Sequence, residues 1–392
     1  MKRFGCLFLL LGLLFLPSSV AGATVLLEGE PPVEVNAEAA LLMEVESGTR
    51  IWEAASHKKL YPASITKIMS LLLVMEQLEE GKISLHDQVT VSARASAVGG
   101  TELFLSEGDQ LSLEELLTGM AVGSANDAAV AVAEHVAGSQ EAFVELMNKR
   151  ARQLGLTATH YCNPHGLHHP EHYTTAADVA KVSCALLEHP RIHRYLTIWM
   201  DEHYLEGKIK AGEVFLSNTN RLVMFYPGCD GLKTGYTREA GNGIAATARR
   251  GDSRFLAVVL NAPTVEERYE AAVNLLDYGF NHYKSVPVME KGEIVAVLPV
   301  DKGSPPQVKI IPRAQLSLFM ERGEPEEFEQ EILLPERLTA PVEEGQVVGE
   351  IVVSHGERGE TRLDLVTGEP VSRCSLFTFF QRLLCSWWRF GR

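Results

Sequence analysis

The pattern of apolar and polar positions predicts a β-hairpin followed by a buried helix near the start of the chain. Residues 39–55 form two apolar-rich runs broken by Ser47-Gly48, which is typical of a hairpin. Residues 65–78 are apolar on almost every face, which predicts a helix buried on all sides, and Gly81 marks its end.

Further periodic segments predict a helical block between early and late strands. Ser112 and Glu115 have the spacing of a capping box before an apolar helix. Further helices are predicted at 127–138, 141–153, 175–189 and 265–278, and strands at 243–250 and 254–262. Because strands occur at both ends of a helical block, we expect one α/β domain whose sheet pairs early with late segments.

The C-terminal part of the chain has a different pattern of apolar residues, Gly and Pro. Residues 286–370 consist of short β-prone runs separated by Gly and Pro, which predicts a separate small all-β domain. We therefore expect an enzymatic domain over 24–283, a β-rich domain over 284–370 and a final segment over 371–392.

The first 23 residues have the layout of a secretory signal peptide. Lys2 and Arg3 precede a short apolar run, and Ala21-Gly22-Ala23 resembles a small-x-small cleavage site. The run is shorter than the ~20 apolar residues of a membrane helix. We expect export and cleavage after Ala23.

Charge and cysteine content narrow the classes of function. The formal net charge is -15, and an acidic exported protein is a poor nucleic-acid binder. The cysteines beyond Cys6 are scattered and lack CxxC spacing, so no disulfide framework is predicted, although one incidental bridge stays open.

Ser64 and Lys67 form the first candidate catalytic pair. Three residues apart at a helix start, their side chains share one face. A serine needs a base to become a nucleophile, and a desolvated lysine near another cation has a lowered pKa. A second Ser-x-x-Lys, Ser56 to Lys59, lies in a polar stretch and is interpreted as solvated surface. The alternative for the first copy is a helix cap with a lysine that reaches solvent.

Two tripeptides strengthen the catalytic interpretation. Ser124-Ala125-Asn126 lies in a break between two predicted helices, where a hydroxyl and an amide can face a cleft. Lys233-Thr234-Gly235 precedes the late strands, and its glycine allows close approach of another backbone. Each alone is also typical of a turn or cap, but the ordered set of three motifs is much harder to obtain by chance.

The chain resembles the serine penicillin-recognising enzymes, and most closely the low-molecular-mass penicillin-binding proteins that act as D-alanyl-D-alanine carboxypeptidases. The resemblance covers residue 33 to the chain end. It rests on four stretches: YPASITKIM, GSAND, NPHGL with the HYTTAADVA that follows, and DGLKTGYT. It implies a penicillin-binding-protein/β-lactamase-like α/β fold, no cofactor and no metal.

The resemblance also implies a role for each motif residue. Ser64 would attack the carbonyl between two terminal D-alanines of a peptidoglycan pentapeptide stem, with Lys67 as base. Ser124 would relay a proton to the leaving amine, and Asn126 would hold the substrate amide. Lys233 and Thr234, followed by Gly235 in the same motif, would bind the terminal carboxylate together with Arg268. The backbone N–H groups of Ser64 and Tyr236 would form the oxyanion hole. Penicillins would be covalent inhibitors.

Several alternatives remain open at this point. Arg268 could instead be an exposed helix arginine paired with Glu266 or Glu267. Thr219 occupies a position where some relatives carry an arginine, so no role is assigned there. Five histidines suggest zinc, but the spacing of nearby acids and cysteines is unusual for such a site: His160, His165, His168, His169 and His172. A β-lactamase and a non-catalytic penicillin sensor or peptidoglycan-binding protein are the rival functions.

The last residues predict an amphipathic helix that lies on a membrane surface. One face collects the apolar side chains Leu376, Phe379, Phe380, Leu383, Leu384, Trp387 and Trp388. Arginines lie at the polar edge, and no acid follows Glu369. The alternative is a terminal helix packed on the β domain. We expect a peripheral protein at the outer face of the cytoplasmic membrane.

Overall fold

The computed structural model describes residues 33–354 and 360–375. The predicted signal peptide and almost all of the predicted anchor helix lie outside the described residues. The described residues form two compact units. The larger contains 33–290 and 315–326, and the smaller contains 291–314, 327–354 and 360–375. The domain boundaries expected from the sequence stay predictions.

The larger unit is built on a five-stranded antiparallel sheet with the order β2-β1-β9-β8-β7. Its strands are β1 (Ala39–Glu44), β2 (Arg50–Ala54), β7 (Cys229–Thr237), β8 (Gly241–Arg250) and β9 (Ser253–Ala262). β1 pairs with both β2 and β9. The predicted hairpin and the predicted pairing of early with late segments are therefore confirmed.

The helices of this unit include the predicted block between the early and late strands, and α9, which follows the late strands. They are α1 (Lys67–Glu79), α2 (Ala93–Ser96), α3 (Leu113–Ala121), α4 (Asn126–Ala137), α5 (Gln140–Gln153), α6 (Ala176–Leu187), α7 (His193–Leu196), α8 (Leu222–Phe225) and α9 (Val265–His282). The capping box of Ser112 and Glu115 is present at the start of α3. Three short sheets complete the unit: β3 (Gln88–Thr90) with β4 (Gln110–Ser112), β5 (Met200–Ile209) with β6 (Gly212–Ser217), and β10 (Tyr283–Met289) with β14 (Leu316–Glu321).

Alternating side chains of the sheet fill two cores. Leu41 belongs to the core on the side of the helical block, whereas its neighbour Leu42 belongs to the core covered by α9. β9 alternates in the same way, with Val258 on the first side and Val259 on the second. α1 lies in the first core and is buried along most of its length, as its apolar pattern predicts.

The smaller unit is all β, as predicted. Its six-stranded sheet has the order β15-β17-β18-β13-β11-β16, and a two-stranded sheet pairs β12 with β19. The strands are β11 (Ala296–Asp301), β12 (Gly303–Ser304), β13 (Gln307–Pro312), β15 (Glu329–Leu333), β16 (Leu338–Thr339), β17 (Val347–Ser354), β18 (Glu360–Thr367) and β19 (Ser372–Arg373). The first residues of the expected final segment, 371–373, are thus paired in β structure. Within the described residues, no helix has the length and apolar character needed to cross a bilayer.

Candidate active site

Ser64 lies in a short 3-10 turn (Ala63–Thr66) that leads directly into α1. Ala63 adopts a φ of 48°, a left-handed conformation that is unfavourable for a residue with a side chain. This strained residue turns the chain immediately before Ser64. Because Ser64 is only half-buried, its hydroxyl is presented at the mouth of a buried helix.

Lys67 is completely buried, with 0% exposure. Its Nζ donates hydrogen bonds to Ser64 Oγ at 3.1 Å, to Asn126 Oδ1 at 2.7 Å and to the backbone oxygen of His165 at 2.9 Å. Burial, and then the positive charge of Lys233, hold the pKa of Lys67 well below its usual value of 10.5. In its neutral form the amine keeps two N–H groups for Asn126 and His165, and its lone pair can accept the proton of the Ser64 hydroxyl. The alternative of a lysine that reaches solvent is wrong.

The second Ser-x-x-Lys motif has a different geometry. Lys59 is exposed, and its Nζ lies 4.3 Å from the centroid of the Tyr173 ring. Ser56 is only 3% exposed, so the solvated interpretation holds for the lysine but is wrong for the serine. The backbone oxygen of Ser56 accepts a hydrogen bond from Ala177, which explains why this end of the motif is buried.

Ser124 lies in the break between α3 and α4, and Asn126, the first residue of α4, contacts Lys67. Asn126 Oδ1 accepts from Lys67, and its Nδ2 donates to the backbone oxygen of Gly99 at 2.8 Å. Ser124 has a φ of 63°, and its buried Oγ has no hydrogen-bond partner among the described residues. An unpaired buried hydroxyl on a strained residue is costly, which is a common property of reactive sites.

Lys233, Thr234 and Gly235 lie within the edge strand β7, so the alternative of a turn or cap is wrong for this tripeptide. A Cβ atom at Gly235 would lie 2.8 Å from the Pro62 oxygen and 3.1 Å from the Ser64 nitrogen. The backbone of β7 therefore passes directly against the turn that carries Ser64, in agreement with the close approach expected at this glycine. Tyr236 follows, with 65% of its surface exposed.

Lys233 is almost fully buried, and its Nζ donates to Thr219 Oγ1 at 2.9 Å. Burial and the nearby charge of Arg268 lower the pKa of Lys233 to about 7. Arg268 is itself 6% exposed, and its guanidinium lies 4.5 Å from the centroid of the Tyr269 ring. The alternative of an exposed helix arginine is therefore wrong, and the basic side chains of Lys67, Lys233 and Arg268 follow one another through the site.

A cavity of about 640 Å³ opens at this edge of the sheet. Its wall includes Thr219, Arg221, Thr234, Tyr236, Asn242, Arg268 and Tyr269, and no Asp or Glu among the described residues lines it. The chain as a whole is acidic. The cavity is therefore a locally cationic pocket, suited to a carboxylate.

The NPHGL stretch closes the other side of the site. The backbone oxygen of His165 holds Lys67, and the pKa of His165 is lowered to about 3 by burial and by Lys67. His172 is also kept neutral, because burial lowers its pKa to about 3. Cys162 N donates to His172 Nδ1, which leaves Nε2–H to donate to Thr66 Oγ1 at 2.9 Å. Among the described residues, no group of three or more His, Cys, Asp or Glu side chains is arranged to hold a metal ion.

Gly166 is expected to be essential for this arrangement. It has a φ of 94°, and a Cβ atom there would lie 1.8 Å from the Ala63 oxygen, which is rigid backbone next to Ser64. Gly166→Ala should lower the free energy of unfolding by more than ~2 kcal/mol and slow acylation by penicillin. Gly155 also has a positive φ, of 67°, but open space around it. Gly155→Ala should cost about 1 kcal/mol and leave acylation unchanged. Equal effects of the two substitutions in chemical denaturation and acylation assays would contradict this prediction.

Comparison with known proteins identifies the class to which this fold and site belong. Residues 26–264 match the D-alanyl-D-alanine carboxypeptidase family, and residues 283–373 match the C-terminal domain of penicillin-binding protein 5. The chain belongs to the D-alanyl-D-alanine carboxypeptidase family and is a serine-type hydrolase of that specificity. The penicillin-binding-protein/β-lactamase-like fold expected from the sequence is confirmed, and neither rival function is favoured.

Particular relatives extend the similarity over nearly the whole chain. D-alanyl-D-alanine carboxypeptidase DacF of Bacillus subtilis is 36% identical over 355 residues, which cover 90% of each chain. DacC of Escherichia coli is 35% identical over 372 residues, or 93% of this chain and 90% of the relative. Penicillin-binding protein 5 of Haemophilus influenzae has a crystal structure with a TM-score of 0.70 and 29% identity, which covers 88% of this chain and all of that one. Penicillin-binding protein D2 of Listeria monocytogenes, solved in an ampicillin-bound form, gives a TM-score of 0.54 at 28% identity over 64% of this chain and all of that one.

Proposed function

We propose that the enzyme removes the terminal D-alanine from peptidoglycan pentapeptide stems through an acyl-enzyme on Ser64. The observation that carries this proposal is the hydrogen bond of 3.1 Å between Ser64 Oγ and the completely buried Lys67 Nζ. A buried lysine with a lowered pKa is a suitable proton acceptor for a serine nucleophile.

In the proposed acylation, Ser64 Oγ forms a bond to the carbonyl carbon of the penultimate D-alanine while its proton passes to Lys67 Nζ. The developing oxyanion is stabilised by the backbone N–H groups of Ser64 and Tyr236. Collapse of the intermediate breaks the C–N bond, and Ser124 relays a proton to the leaving amine. Water then hydrolyses the ester, restores Ser64 and releases the shortened stem.

Substrate binding is assigned to the amide and the cations around this pair. Asn126 would hold the substrate amide, while Lys233, Thr234 and Arg268 would bind the terminal carboxylate. Supporting observations are the cationic wall of the cavity and the burial of both charged side chains, which strengthens their attraction for an anion. Gly235 would permit the substrate and the Ser64 turn to lie close against β7.

The acyl-enzyme is tested by intact-mass analysis after treatment with a penicillin, followed by mapping of the modified residue. We expect one adduct, located on Ser64, that persists for much longer than a turnover with peptide. Release of D-alanine from diacetyl-Lys-D-Ala-D-Ala should accompany it. Rapid loss of the penicillin adduct would favour a β-lactamase, and an adduct without D-alanine release would favour a sensor.

We also propose that the enzyme is exported and held at the outer face of the cytoplasmic membrane by its C-terminal segment. Truncation after Ser375 tests this anchor, because it removes the predicted amphipathic residues and retains β19. The truncated enzyme should no longer sediment with anionic lipid vesicles, and Trp387→Ser with Trp388→Ser should weaken binding in the intact chain. Retention of the truncated enzyme on vesicles after a salt wash would overturn the anchor.

A further inference from the structure

Thr219 joins three elements of the site. Its N–H donates to the backbone oxygen of Val122 at 3.1 Å, two residues before Ser124. Its Oγ1 accepts from Lys233 Nζ at 2.9 Å. Its backbone oxygen accepts from the Tyr269 hydroxyl at 2.8 Å and more distantly from Thr234 Oγ1 at 3.4 Å. One residue in a loop without regular structure therefore connects α3, β7 and α9.

Tyr269 is the second common element. Its hydroxyl donates to the Thr219 oxygen and accepts from the Arg221 N–H at 3.2 Å, so both of its hydrogen-bonding functions hold the loop. Its ring lies under the Arg268 guanidinium, with the carbon of that group 4.5 Å from the ring centroid. The Tyr269 side chain therefore contacts Arg268 through the face of its ring and holds Thr219, the partner of Lys233, through its hydroxyl.

We propose that Thr219 and Tyr269 are positioning residues that align Lys233, Thr234 and Arg268 for the terminal carboxylate of the substrate. This inference rests on the proposed function, which gives those three groups their common ligand. Neither Thr219 nor Tyr269 is required to touch the substrate. Their effect is on the geometry of the cations and on the protonation of Lys233.

The chemistry of Thr219 sets the direction of that second effect. A neutral hydroxyl that accepts from an ammonium stabilises its charged form. The positive charge of Arg268, from α9, opposes the Lys233 ammonium. Lys67, from α1, also faces Lys233, and the charge of Lys233 helps to lower the pKa of Lys67. Loss of the Thr219 hydroxyl should therefore lower the pKa of Lys233 further. Carboxylate binding, which requires the ammonium, would then be lost at a lower pH than in the wild type.

The first experiment compares two substrates, diacetyl-Lys-D-Ala-D-Ala and its C-terminal amide. The ratio of their kcat/KM values isolates recognition of the carboxylate, because both peptides use the same acyl chemistry. Tyr269→Phe keeps the ring under Arg268 but removes the hydroxyl, and should lower the ratio roughly three- to tenfold, mainly through KM. Tyr269→Leu removes both functions and should lower the ratio further.

The second experiment follows the same ratio against pH. Contributions of Ser64 and Lys67 are common to both substrates, so the ratio should report the titration of Lys233. Thr219→Val should move the fall in the ratio to lower pH, and Thr219→Ser, which keeps the hydroxyl, should restore the wild-type midpoint. A loss of fold alone would move neither the midpoint nor the selectivity of the remaining active enzyme.

Tyr226 supplies the matched control. Its hydroxyl donates to Asp277 Oδ1 at 2.7 Å, on the same helix α9, but Tyr226 does not line the cavity. Tyr226→Phe should leave the substrate ratio unchanged, and an equal fall in this control would overturn the inference. Wild-type selectivity that persists in both Tyr269→Phe and Thr219→Val would also overturn it, while the carboxylate site itself would stand. A wild-type ratio near one would remove the carboxylate site and the inference together.

Discussion

Ser64→Ala should abolish covalent attachment of a fluorescent penicillin and reduce D-alanine release by more than ~10⁴-fold. The physical reason is that no other hydroxyl among the described residues accepts a hydrogen bond from Lys67 Nζ. The substitution removes one half-buried oxygen and should leave the unfolding temperature close to that of the wild type. Gel fluorescence and a D-alanine assay give the two readouts.

The chain contains its own control for this experiment. Ser56 belongs to the other Ser-x-x-Lys motif, and its lysine, Lys59, is exposed and lies over the Tyr173 ring. Ser56→Ala should label like the wild type. Labelling that survives in Ser64→Ala would show that the nucleophile lies elsewhere.

The second large effect is expected for Lys67→Arg. The guanidinium of arginine retains the positive charge and the hydrogen-bond donors of lysine but does not lose its proton in proteins. If Lys67 acts as the base, acylation by penicillin should slow by roughly 10²- to 10⁴-fold, the usual contribution of general base catalysis. Stopped-flow or quenched labelling measures this rate directly.

Lys59→Arg is the corresponding control, because it makes the same exchange in an exposed lysine whose Nζ lies over the half-buried Tyr173 ring. Its acylation rate should equal that of the wild type. Thermal unfolding of both variants separates a lost base from a lost fold. A Lys67→Arg enzyme that is folded and acylates within tenfold of the wild-type rate would transfer the role of base to another group.

Much of the site follows from local sequence. The spacing of Ser64 and Lys67 dictates that their side chains share one helix face, and the apolar residues after them dictate burial. The capping box at Ser112 and the hairpin of β1 with β2 are similarly encoded by a few adjacent residues. These features depend on short-range geometry, so a single sequence is enough to predict them.

The parts that escaped prediction depend on contacts between distant segments. Thr219 was assigned no role because some relatives carry an arginine there, and nothing in a loop sequence shows that its hydroxyl meets Lys233. The backbone oxygen of His165 and the amide of Asn126 hold Lys67 only once the NPHGL loop and α4 have packed. Lys233 to Gly235 were expected only to precede the late strands, yet they belong to β7, which pairs with β8 although lysine and glycine are depleted in strands.

The pairing of strands in the five-stranded sheet bears on when the active site becomes reactive during synthesis. β1 pairs along its length with β9, so Ala39 lies opposite Leu260, and β8 is joined to this sheet through β9. β7, whose backbone packs against the turn that carries Ser64, joins the sheet by pairing with β8. Long-range pairings of this kind form late. A partly synthesised chain would carry a charged, solvated Lys67 and an unreactive Ser64 hydroxyl. Acyl transfer would become possible only when the sheet is complete.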